Sequence, residues 1–267
     1  MDNFFEANQK TWNARVPYHL DSDFYNLEAF RKGETSLNAT ELNEIGELVE
    51  GKTLLHLQCH FGQDTLSFAR MGAKATGIDF SDKALEAARK LNDELGLDAK
   101  FVQSNVLELD KNLEGQFDIV FTSYGVLGWL PDLDKWASQV NHFLKPGGFF
   151  YIVEFHPVIY LLDFDTLELT FPYFNVGEFE EDISGTYADN DADIKGKEYF
   201  WCHSLQEVIT PLRERGLELE FFHEFPFSSY NCFPNMIETG KGQHQFERYV
   251  GKLPYMFSLK MQKPKNA

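Results

Sequence analysis

The apolar residues of this chain follow two alternating patterns from residue 52 onwards. Short unbroken apolar runs, typical of strands buried on both faces of a sheet, alternate with stretches in which apolar residues recur at helical spacing. The runs lie at 53–57, 74–78, 99–102, 117–122 and 149–154, and the helical stretches lie at 64–71, 81–95 and 134–144. This alternation predicts a parallel β-sheet that is covered by helices on both faces.

Cap and turn residues place several element boundaries. Ser81 is a good helix N-cap, and Ser204 opens the capping box Ser-Leu-Gln-Glu of a later helix. The sequence KPGG at 145–148 predicts a type II turn before the fifth strand. Two late strands are predicted at 217–222 and 255–261, with a long loop between them.

Two segments depart from the alternation of strands and helices. In 158–203, the aromatic runs LELTFPYF and EYFWCH flank an acidic stretch, which predicts an antiparallel β flap inserted after the fifth strand. Residues 1–45 are too aromatic for a disordered tail and predict an N-terminal cap. Their large aromatic residues are Trp12, Tyr18, Phe24, Tyr25 and Phe30. Residues 46–267 then form one domain, with the flap at about 158–203.

Composition and charge narrow the classes of function. The formal net charge of −18 and the lack of a large basic cluster argue against nucleic acid as a partner. The longest apolar run is far below the roughly 18–20 residues that a membrane helix needs, and the N-terminus lacks the apolar core of a secretory signal. Three widely spaced cysteines fit neither a disulfide framework nor a metal site. These features predict a cytoplasmic protein without a metal; they do not predict its oligomeric state.

The sequence LLHLQCHFGQDTL at 54–66 predicts a strand, a turn and a helix, the arrangement of a nucleotide-binding loop. The loop lies at the carboxyl end of the first strand, where open parallel sheets bind ligands. Gln58 and His60 stand where dinucleotide-binding folds place glycines, and only Gly62 remains. Asp79, 22 residues after Leu57, ends the second strand at about the ~20-residue spacing of an acid that binds ribose hydroxyls. The alternative role of Asp79, as a helix N-cap, is less favoured because Ser81 already fills it.

The missing glycines argue against NAD. A pyrophosphate needs close backbone approach at several points of the loop, and side chains at two of the glycine positions obstruct it. A nucleoside that ends in a single small carboxylate demands less space. S-adenosylmethionine, which has no phosphate, is therefore the favoured cofactor.

Residues 52–154 and 204–261 resemble class I S-adenosylmethionine-dependent methyltransferases. LLHLQCHFG is similar to their first motif, with His56, Gln58 and His60 in place of the usual acid and glycines. IDFS, SNVLEL and FTSYGVLGWLPDL resemble the next three motifs, and LKPGGFFYIVE resembles the turn and strand that follow. In the sequences of these motifs, the chain is most similar to an uncharacterised bacterial branch of the superfamily whose first motif also has few glycines. The resemblance implies a Rossmann-like, seven-stranded α/β sheet, mostly parallel, whose last strand is antiparallel.

The resemblance also implies which residues hold the cofactor. The segment from Leu57 to Gly62, with Gln58 and His60, would contact the methionyl part largely through its backbone, and Ser123 and Tyr124 would lie beside the ammonium and methyl groups. Asp79 would bind the ribose, Phe80 the adenine face, Asn105 the exocyclic amine and the Val106 N–H a ring nitrogen. His60 either contacts the carboxylate directly or is a turn residue packed under the cap.

Candidates for catalysis and for the substrate pocket come from strand ends, cap and flap. His156, in EFHP after the fifth strand, is the favoured general base, and Tyr124 is a second candidate. The predicted pocket residues are Tyr18, His19, Trp129, Tyr187, Trp201 and Tyr230, and Trp12 would offer an aromatic face to the sulfonium. Structural roles remain open for each: Glu154 pairing with a backbone N–H, His203 preceding its helix's N-cap, the tyrosines as wall, or His156 anchoring the flap.

The predicted function is methyl transfer from S-adenosylmethionine to a small-molecule acceptor by in-line displacement, with oxygen, nitrogen or sulfur as the nucleophile. Two alternatives remain. One is a module that binds the cofactor without turnover. The other is a different adenosyl-dependent transfer, such as aminopropyl transfer, against which the lack of acids after the fourth strand argues.

Overall fold

The computed structural model describes residues 3–265 and contains a central sheet of seven strands. The eleven strands are β1 Thr53–Leu57, β2 Lys74–Asp79, β3 Lys100–Gln103, β4 Phe117–Ser123, β5 Leu144–Phe155, β6 Phe179–Ser184, β7 Lys195–Phe200, β8 Glu218–Phe225, β9 Met236–Gly240, β10 Gln243–Phe246 and β11 Met256–Gln262. The sheet order is β3-β2-β1-β4-β5-β11-β8, and β11 runs antiparallel to both of its neighbours. The predicted Rossmann-like methyltransferase sheet is confirmed.

The helices between β1 and β5 lie where the apolar spacing predicts them, with ends shifted by about one residue; three more helices lie within residues 3–45, the predicted cap, and another follows the flap. They are α1 Asn3–Asp21, α2 Leu27–Arg31, α3 Ala39–Ile45, α4 Gln63–Arg70, α5 Asp82–Glu94, α6 Leu133–Phe143 and α7 Leu205–Glu214. Short 3₁₀ turns lie at Gly46–Leu48, Val106–Lys111, Leu127–Trp129, Ile159–Leu161 and Glu247–Tyr249. Ser81 caps α5 by accepting from the Ala84 N–H, and both halves of the Ser204 capping box form at α7. No helix within residues 3–265 combines the length and apolar character that a membrane span needs.

The predicted turn at Lys145–Gly148 lies inside β5 rather than before it. Gly147 has a φ of +83°, the left-handed conformation that the third position of a type II turn requires. Its N–H nevertheless donates to the Lys263 carbonyl at 2.8 Å, just beyond β11. The turn is therefore absorbed as an irregularity of the strand, where the pairing of β4 with β5 shifts register.

The flap is an antiparallel hairpin of β6 and β7, but its first strand is not where the aromatic run predicted it. The run LELTFPYF at 167–174 is irregular apart from one bridge between Leu162 and Leu169. Pro172 interrupts this run and cannot donate to a strand ladder. The strand β6 follows a few residues later. The predicted long loop before β11 also contains a second hairpin, β9–β10.

The segment before β1 packs on the domain and joins the flap to the sheet. The Asn8 side chain of α1 exchanges two hydrogen bonds of 2.8 Å with the backbone of Tyr199 in β7. On the sheet side, Gln9 Nε2 donates to the Phe80 carbonyl, and Asn13 Oδ1 accepts from the Ser81 hydroxyl at 2.6 Å. Residues 1 and 2, the start of the predicted cap, lie outside the described residues.

Candidate active site

A cavity of about 530 Å³ opens at the carboxyl edge of the sheet. The loop after β1 and the ends of β2 and β4 form one side of it, and the N-terminal segment and the flap form the other. Eleven residues predicted for the site line it: Trp12, Gln58, His60, Gly62, Asp79, Phe80, Ser123, Tyr124, Trp129, Tyr187 and Tyr230. Its volume lies within the ~300–1,000 Å³ typical of small-molecule sites.

The loop after β1 keeps the backbone path of a glycine-rich loop with only one glycine. Gln58, His60 and Gly62 have φ values of +54°, +51° and +81°, all in the left-handed region. This conformation costs a residue with a side chain roughly 1–2 kcal/mol. Gln58 Nε2 donates to the Val126 carbonyl at 3.1 Å, while its Oε1 is buried with no hydrogen-bond partner among the described residues. The loop thus retains the geometry of the motif and adds polar side chains to it.

His60 packs under α1 and belongs to a buried chain of hydrogen bonds. Its Nε2 lies 2.8 Å from His19 Nδ1, and His19 Nε2 lies 2.7 Å from the Thr186 hydroxyl of the flap. Burial lowers the pKa of His19 to about 3 and the pKa of His60 well below its usual value, so both rings are neutral at pH 7. Of the two roles considered for His60, packing under the cap matches these contacts. His19, predicted for the pocket, lies behind His60 and does not line the cavity.

Asp79 ends β2 at the cavity wall with only 7% of its surface exposed. Its Oδ2 accepts from the His60 N–H at 2.9 Å, and its Oδ1 accepts from the Ser81 N–H at 2.8 Å. Burial raises the pKa of the carboxyl to about 6, although these backbone hydrogen bonds favour the ionised form. Above that pH, Asp79 is a fixed, ionised acceptor with lone pairs to spare.

Five further residues predicted for the site do not line the cavity. Asn105 Oδ1 accepts from the Leu107 N–H at 3.0 Å and so caps the 3₁₀ turn that starts at Val106, itself buried. Leu57 is fully buried within β1. Trp201 is buried against the Phe4 ring, with centroids 5.2 Å apart. Tyr18 lines a separate shallow depression beside Asp21 and Asp189.

The prediction of His156 as a general base is also corrected. The His156 N–H donates to the Tyr255 carbonyl, so the chain continues alongside β11 and carries the ring towards β8. There Nδ1 accepts from the Val158 N–H at 3.1 Å, and Nε2 lies 3.1 Å from the Glu224 carboxylate. The ring is buried and outside the cavity lining. His156 therefore has a structural role.

Glu154 and His203 likewise take the structural roles considered for them. The Glu154 carboxylate accepts from the backbone N–H groups of Gly125, Val126, Leu127 and Phe155 and so holds the loop after β4. His203 Nε2 lies 2.7 Å from the Leu130 carbonyl. Among residues 3–265, no group of three or more His, Cys, Asp and Glu side chains is placed to hold a metal ion.

Sequence analysis did not assign Asp64 to the site. Asp64 lies in the first turn of α4, lines the cavity and accepts from the hydroxyls of Ser36 at 2.6 Å and Ser123 at 3.3 Å. Burial raises the pKa of its carboxyl. The available signal was its position two residues after Gly62, which puts an acid at the mouth of the loop.

Arg15 of α1 is a second site residue that sequence analysis missed. Its Nη1 and Nη2 atoms each lie 2.8 Å from a carboxylate oxygen of Glu198 in β7. Both side chains are buried, and Arg15 lines the cavity. The Arg15 Nε–H is buried and has no partner among the described residues. This cavity-lining residue thus has one buried donor without a partner.

Five aromatic residues that line the cavity form an aromatic cage, which we define as Phe24, Tyr25, Tyr124, Tyr187 and Tyr230. The Tyr124 and Tyr230 rings meet edge to face at 4.9 Å, and Phe24 stacks on Tyr230 at 5.6 Å. The Tyr25 and Tyr187 hydroxyls hydrogen-bond to each other. The aromatic content of residues 1–45 was the signal for Phe24 and Tyr25. The cage therefore joins the N-terminal segment, the loop after β4, the flap and the loop after β8.

Two buried histidines predict a loss of stability in acid. Burial lowers the pKa of His56, in β1, and of His19 to about 3. Below pH 6.5 the unfolded chain takes up protons that the folded chain refuses, so stability falls as the pH drops from 6.5 towards 3. At pH 5.5 each histidine contributes up to about 1.4 kcal/mol of this loss. Urea unfolding of wild type and His56→Asn at pH 7 and 5.5 should show a smaller pH-dependent loss in the variant. The same slope in both would contradict this, and exposed His142→Asn is the control.

Comparison with known proteins places the chain among methyltransferases. Residues 55–150 match the family model described as a methyltransferase domain. An uncharacterised methyltransferase of Synechocystis is 35% identical over 150 residues, which cover 55% of this chain and 67% of that protein. A ubiquinone biosynthesis O-methyltransferase of Proteus mirabilis is 31% identical over 130 residues, 48% of this chain and 53% of that enzyme. The chain thus spans about half to two thirds of the length of these relatives.

Solved structures share the fold at low sequence identity. An S-adenosylmethionine-dependent methyltransferase from Mesorhizobium loti superposes with a TM-score of 0.56 at 17% identity, covering 84% of this chain and 98% of that one. A glycopeptide N-methyltransferase in complex with S-adenosylmethionine gives a TM-score of 0.53 at 16% identity, over 86% and 89% of the two chains. These likenesses concern the fold.

Proposed function

Because the chain belongs to the class I S-adenosylmethionine-dependent methyltransferases, we propose that its cavity binds S-adenosylmethionine beside a small, largely apolar acceptor. One observation carries this proposal: a single cavity is lined by Asp79, by the loop after β1 and by the aromatic cage. When bound, the cofactor supplies a methyl group that is already activated on a sulfonium. The protein's contribution is then to align the two molecules, which accounts for roughly 7–11 kcal/mol in favourable cases.

Polar side chains around the cavity match the hydroxyl, carboxylate and ammonium groups of the cofactor. Asp79 would accept from the ribose hydroxyls, and Phe80 would pack beside the adenine. Arg15 Nε, a buried donor without a partner, would bind the methionyl carboxylate. Gln58 Oε1, a buried acceptor without a partner, and the Asp64 carboxylate would bind the ammonium. In this arrangement the side chains of Arg15 and Gln58 bind the methionyl end of the cofactor, which a glycine-rich loop would bind through its backbone.

The aromatic cage supports a small acceptor with a flat apolar body. Its rings close the cavity from four separate parts of the chain, which limits both the size of the acceptor and the access of water. Phe155, Tyr160 and Phe233 extend the aromatic wall.

Calorimetry and a turnover assay test the proposal together. S-adenosylmethionine and S-adenosylhomocysteine should bind, while NAD should not. Release of S-adenosylhomocysteine should then be measured with panels of phenols and catechols, of aryl and alkyl amines, and of thiols. Tighter binding of NAD than of either adenosyl compound would overturn the cofactor assignment, and binding without turnover of any acceptor would overturn the transfer.

Replacing Asp79 with asparagine should weaken S-adenosylhomocysteine binding roughly fivefold. The amide keeps the side-chain shape but loses the charge, and hydrogen bonds to a charged group exceed neutral ones by about 1 kcal/mol. Asp82→Asn removes the same charge three residues away, at a side chain outside the cavity lining. Equal affinities for the two variants, measured by calorimetry, would show that Asp79 does not contact the ribose.

A further inference from the structure

A buried carboxylate lies directly behind the aromatic cage. Glu41 of α3 has no exposed surface, and its Oε2 accepts from the Tyr124 hydroxyl at 2.9 Å. Its other oxygen, Oε1, accepts from the Asn38 N–H at 3.4 Å in the capping box of α3. Tyr124 lines the cavity and Glu41 does not. Glu41 can therefore reach a bound molecule only through Tyr124.

The surroundings of Glu41 contain acids and hydroxyls. The charge of Asp64 in α4 acts on Glu41, and the nearby Tyr230 hydroxyl accepts from Asn38 Nδ2 at 2.9 Å. Tyr151 of β5 is the remaining titratable neighbour. No salt bridge within residues 3–265 involves Glu41. Burial, and secondarily the charge of Asp64, raise the pKa of Glu41 to about 8.

We propose that Tyr124 and Glu41 form a two-step proton relay, and that the methyl acceptor is accordingly a hydroxyl compound. The proposal rests on the function proposed above. As the new O–CH₃ bond forms, the methyl–sulfur bond breaks and its electron pair stays on sulfur. The acceptor's hydroxyl proton passes to the Tyr124 oxygen, while Tyr124 passes its own proton to Glu41 Oε2. Tyr124 is the catalytic residue in this scheme, and Glu41 is a positioning residue that acts through it.

The chemistry of the pair favours a hydroxyl over an amine. A phenolic oxygen accepts one hydrogen bond while donating another, so Tyr124 can take the acceptor's hydrogen bond and keep its bond to Glu41. A hydroxyl must lose its proton to become a strong nucleophile, whereas a neutral amine attacks without doing so. A base is most effective when its pKa lies near the working pH, and Glu41 meets that condition.

The same helix offers a matched control. Glu44 also accepts from a tyrosine hydroxyl, that of Tyr151, at 2.8 Å, but neither residue lines the cavity. Glu41→Gln keeps the capping box, because glutamine serves at that position as well as glutamate. Glu41→Gln, Tyr124→Phe and Glu44→Gln should be compared by turnover of the most active phenol or catechol of the panel and by the Kd of S-adenosylhomocysteine.

We expect hydroxyl compounds to be the acceptors that turn over. Glu41→Gln and Tyr124→Phe should each lower kcat by about 10²- to 10⁴-fold, with the Kd of S-adenosylhomocysteine unchanged. The wild-type kcat should rise with pH through about 8 as Glu41 ionises, Glu44→Gln should keep that rise, and Glu41→Gln should lose it. Turnover confined to amines or thiols, or a Glu41→Gln variant with the wild-type rate and pH profile, would overturn the relay while leaving methyl transfer intact. No turnover with any class would overturn the proposed function, and the relay with it.

An infrared measurement tests the proton on Glu41 without an acceptor. The difference spectrum of the wild type between pH 7 and 9 should contain a protonated-carboxyl band that disappears at the higher pH. Glu41→Gln should lack that band, and Glu44→Gln should retain it. The same band in the Glu41→Gln spectrum would assign it to another acid and contradict the relay.

Discussion

Replacing Arg15 with lysine is expected to weaken S-adenosylhomocysteine binding by roughly 10- to 100-fold, with little effect on 5′-methylthioadenosine. The second compound shares the nucleoside and the sulfur but lacks the amino-acid end. Arg15 lines the cavity, its Nε is a buried donor without a partner, and we place the methionyl carboxylate there. A charge-assisted hydrogen bond of this kind contributes about 1.5–3 kcal/mol.

Lysine is the informative replacement because it retains a positive charge for Glu198. An ammonium makes that ion pair as a point charge but has no second, rigidly placed N–H to offer. Damage to the α1–β7 contact would weaken both ligands alike, whereas loss of the carboxylate contact weakens only S-adenosylhomocysteine. Arg215→Lys, at a surface pair with Asp134, is the matched control. Equal loss of affinity for the two ligands in calorimetry would refute the assignment.

Replacing Gly62 with alanine should lower the free energy of unfolding by about 2–5 kcal/mol. An added Cβ would lie 2.6 Å from the Phe101 ring and 3.1 Å from the Ala88 Cβ, in the packed space between the loop and α5. Overpacking of this kind costs about 1–3 kcal/mol, and the φ of +81° adds about 1–2 kcal/mol of backbone strain.

Gly96 separates the two contributions. It has a φ of +63°, and an added Cβ there would meet no atom within 4 Å. Gly96→Ala should therefore show the backbone cost alone, about 1–2 kcal/mol in urea unfolding. Equal losses for the two variants would mean that the loop yields and that its packing on Phe101 is not what requires glycine at position 62.

The parts of the fold set by local pattern could be predicted from the sequence. The strand at 53–57 has the bounds that its apolar run indicated, and the Ser81 and Ser204 caps form as expected. The first strand of the flap was predicted at the wrong position because a run of aromatic residues can pack in irregular chain as well as in a strand. At 167–174 several of these rings pack in irregular chain, and the pairing partner of β7 comes later.

Site residues could be predicted where their position at the end of a strand is enough to place them at the cavity. Asp79 had to lie at the carboxyl edge because it ends a parallel strand. His156 also follows a strand, but the direction of its ring depends on β11 and β8, which pair with the sheet about 70–100 residues later in the chain. The left-handed backbone at Gln58 and His60 was not visible either, since only glycine signals that conformation in a sequence.

Asp79, which is buried, and Asp64, which is half-buried, line a cavity where a cation becomes neutral during the reaction. A carboxylate shielded from water attracts a nearby positive charge more strongly than it would in solvent. That attraction acts on the sulfonium of S-adenosylmethionine. It does not act on the neutral thioether of the product S-adenosylhomocysteine. Above pH 6, where Asp79 is ionised, the charge of the cavity therefore favours departure of the spent cofactor over departure of the fresh one.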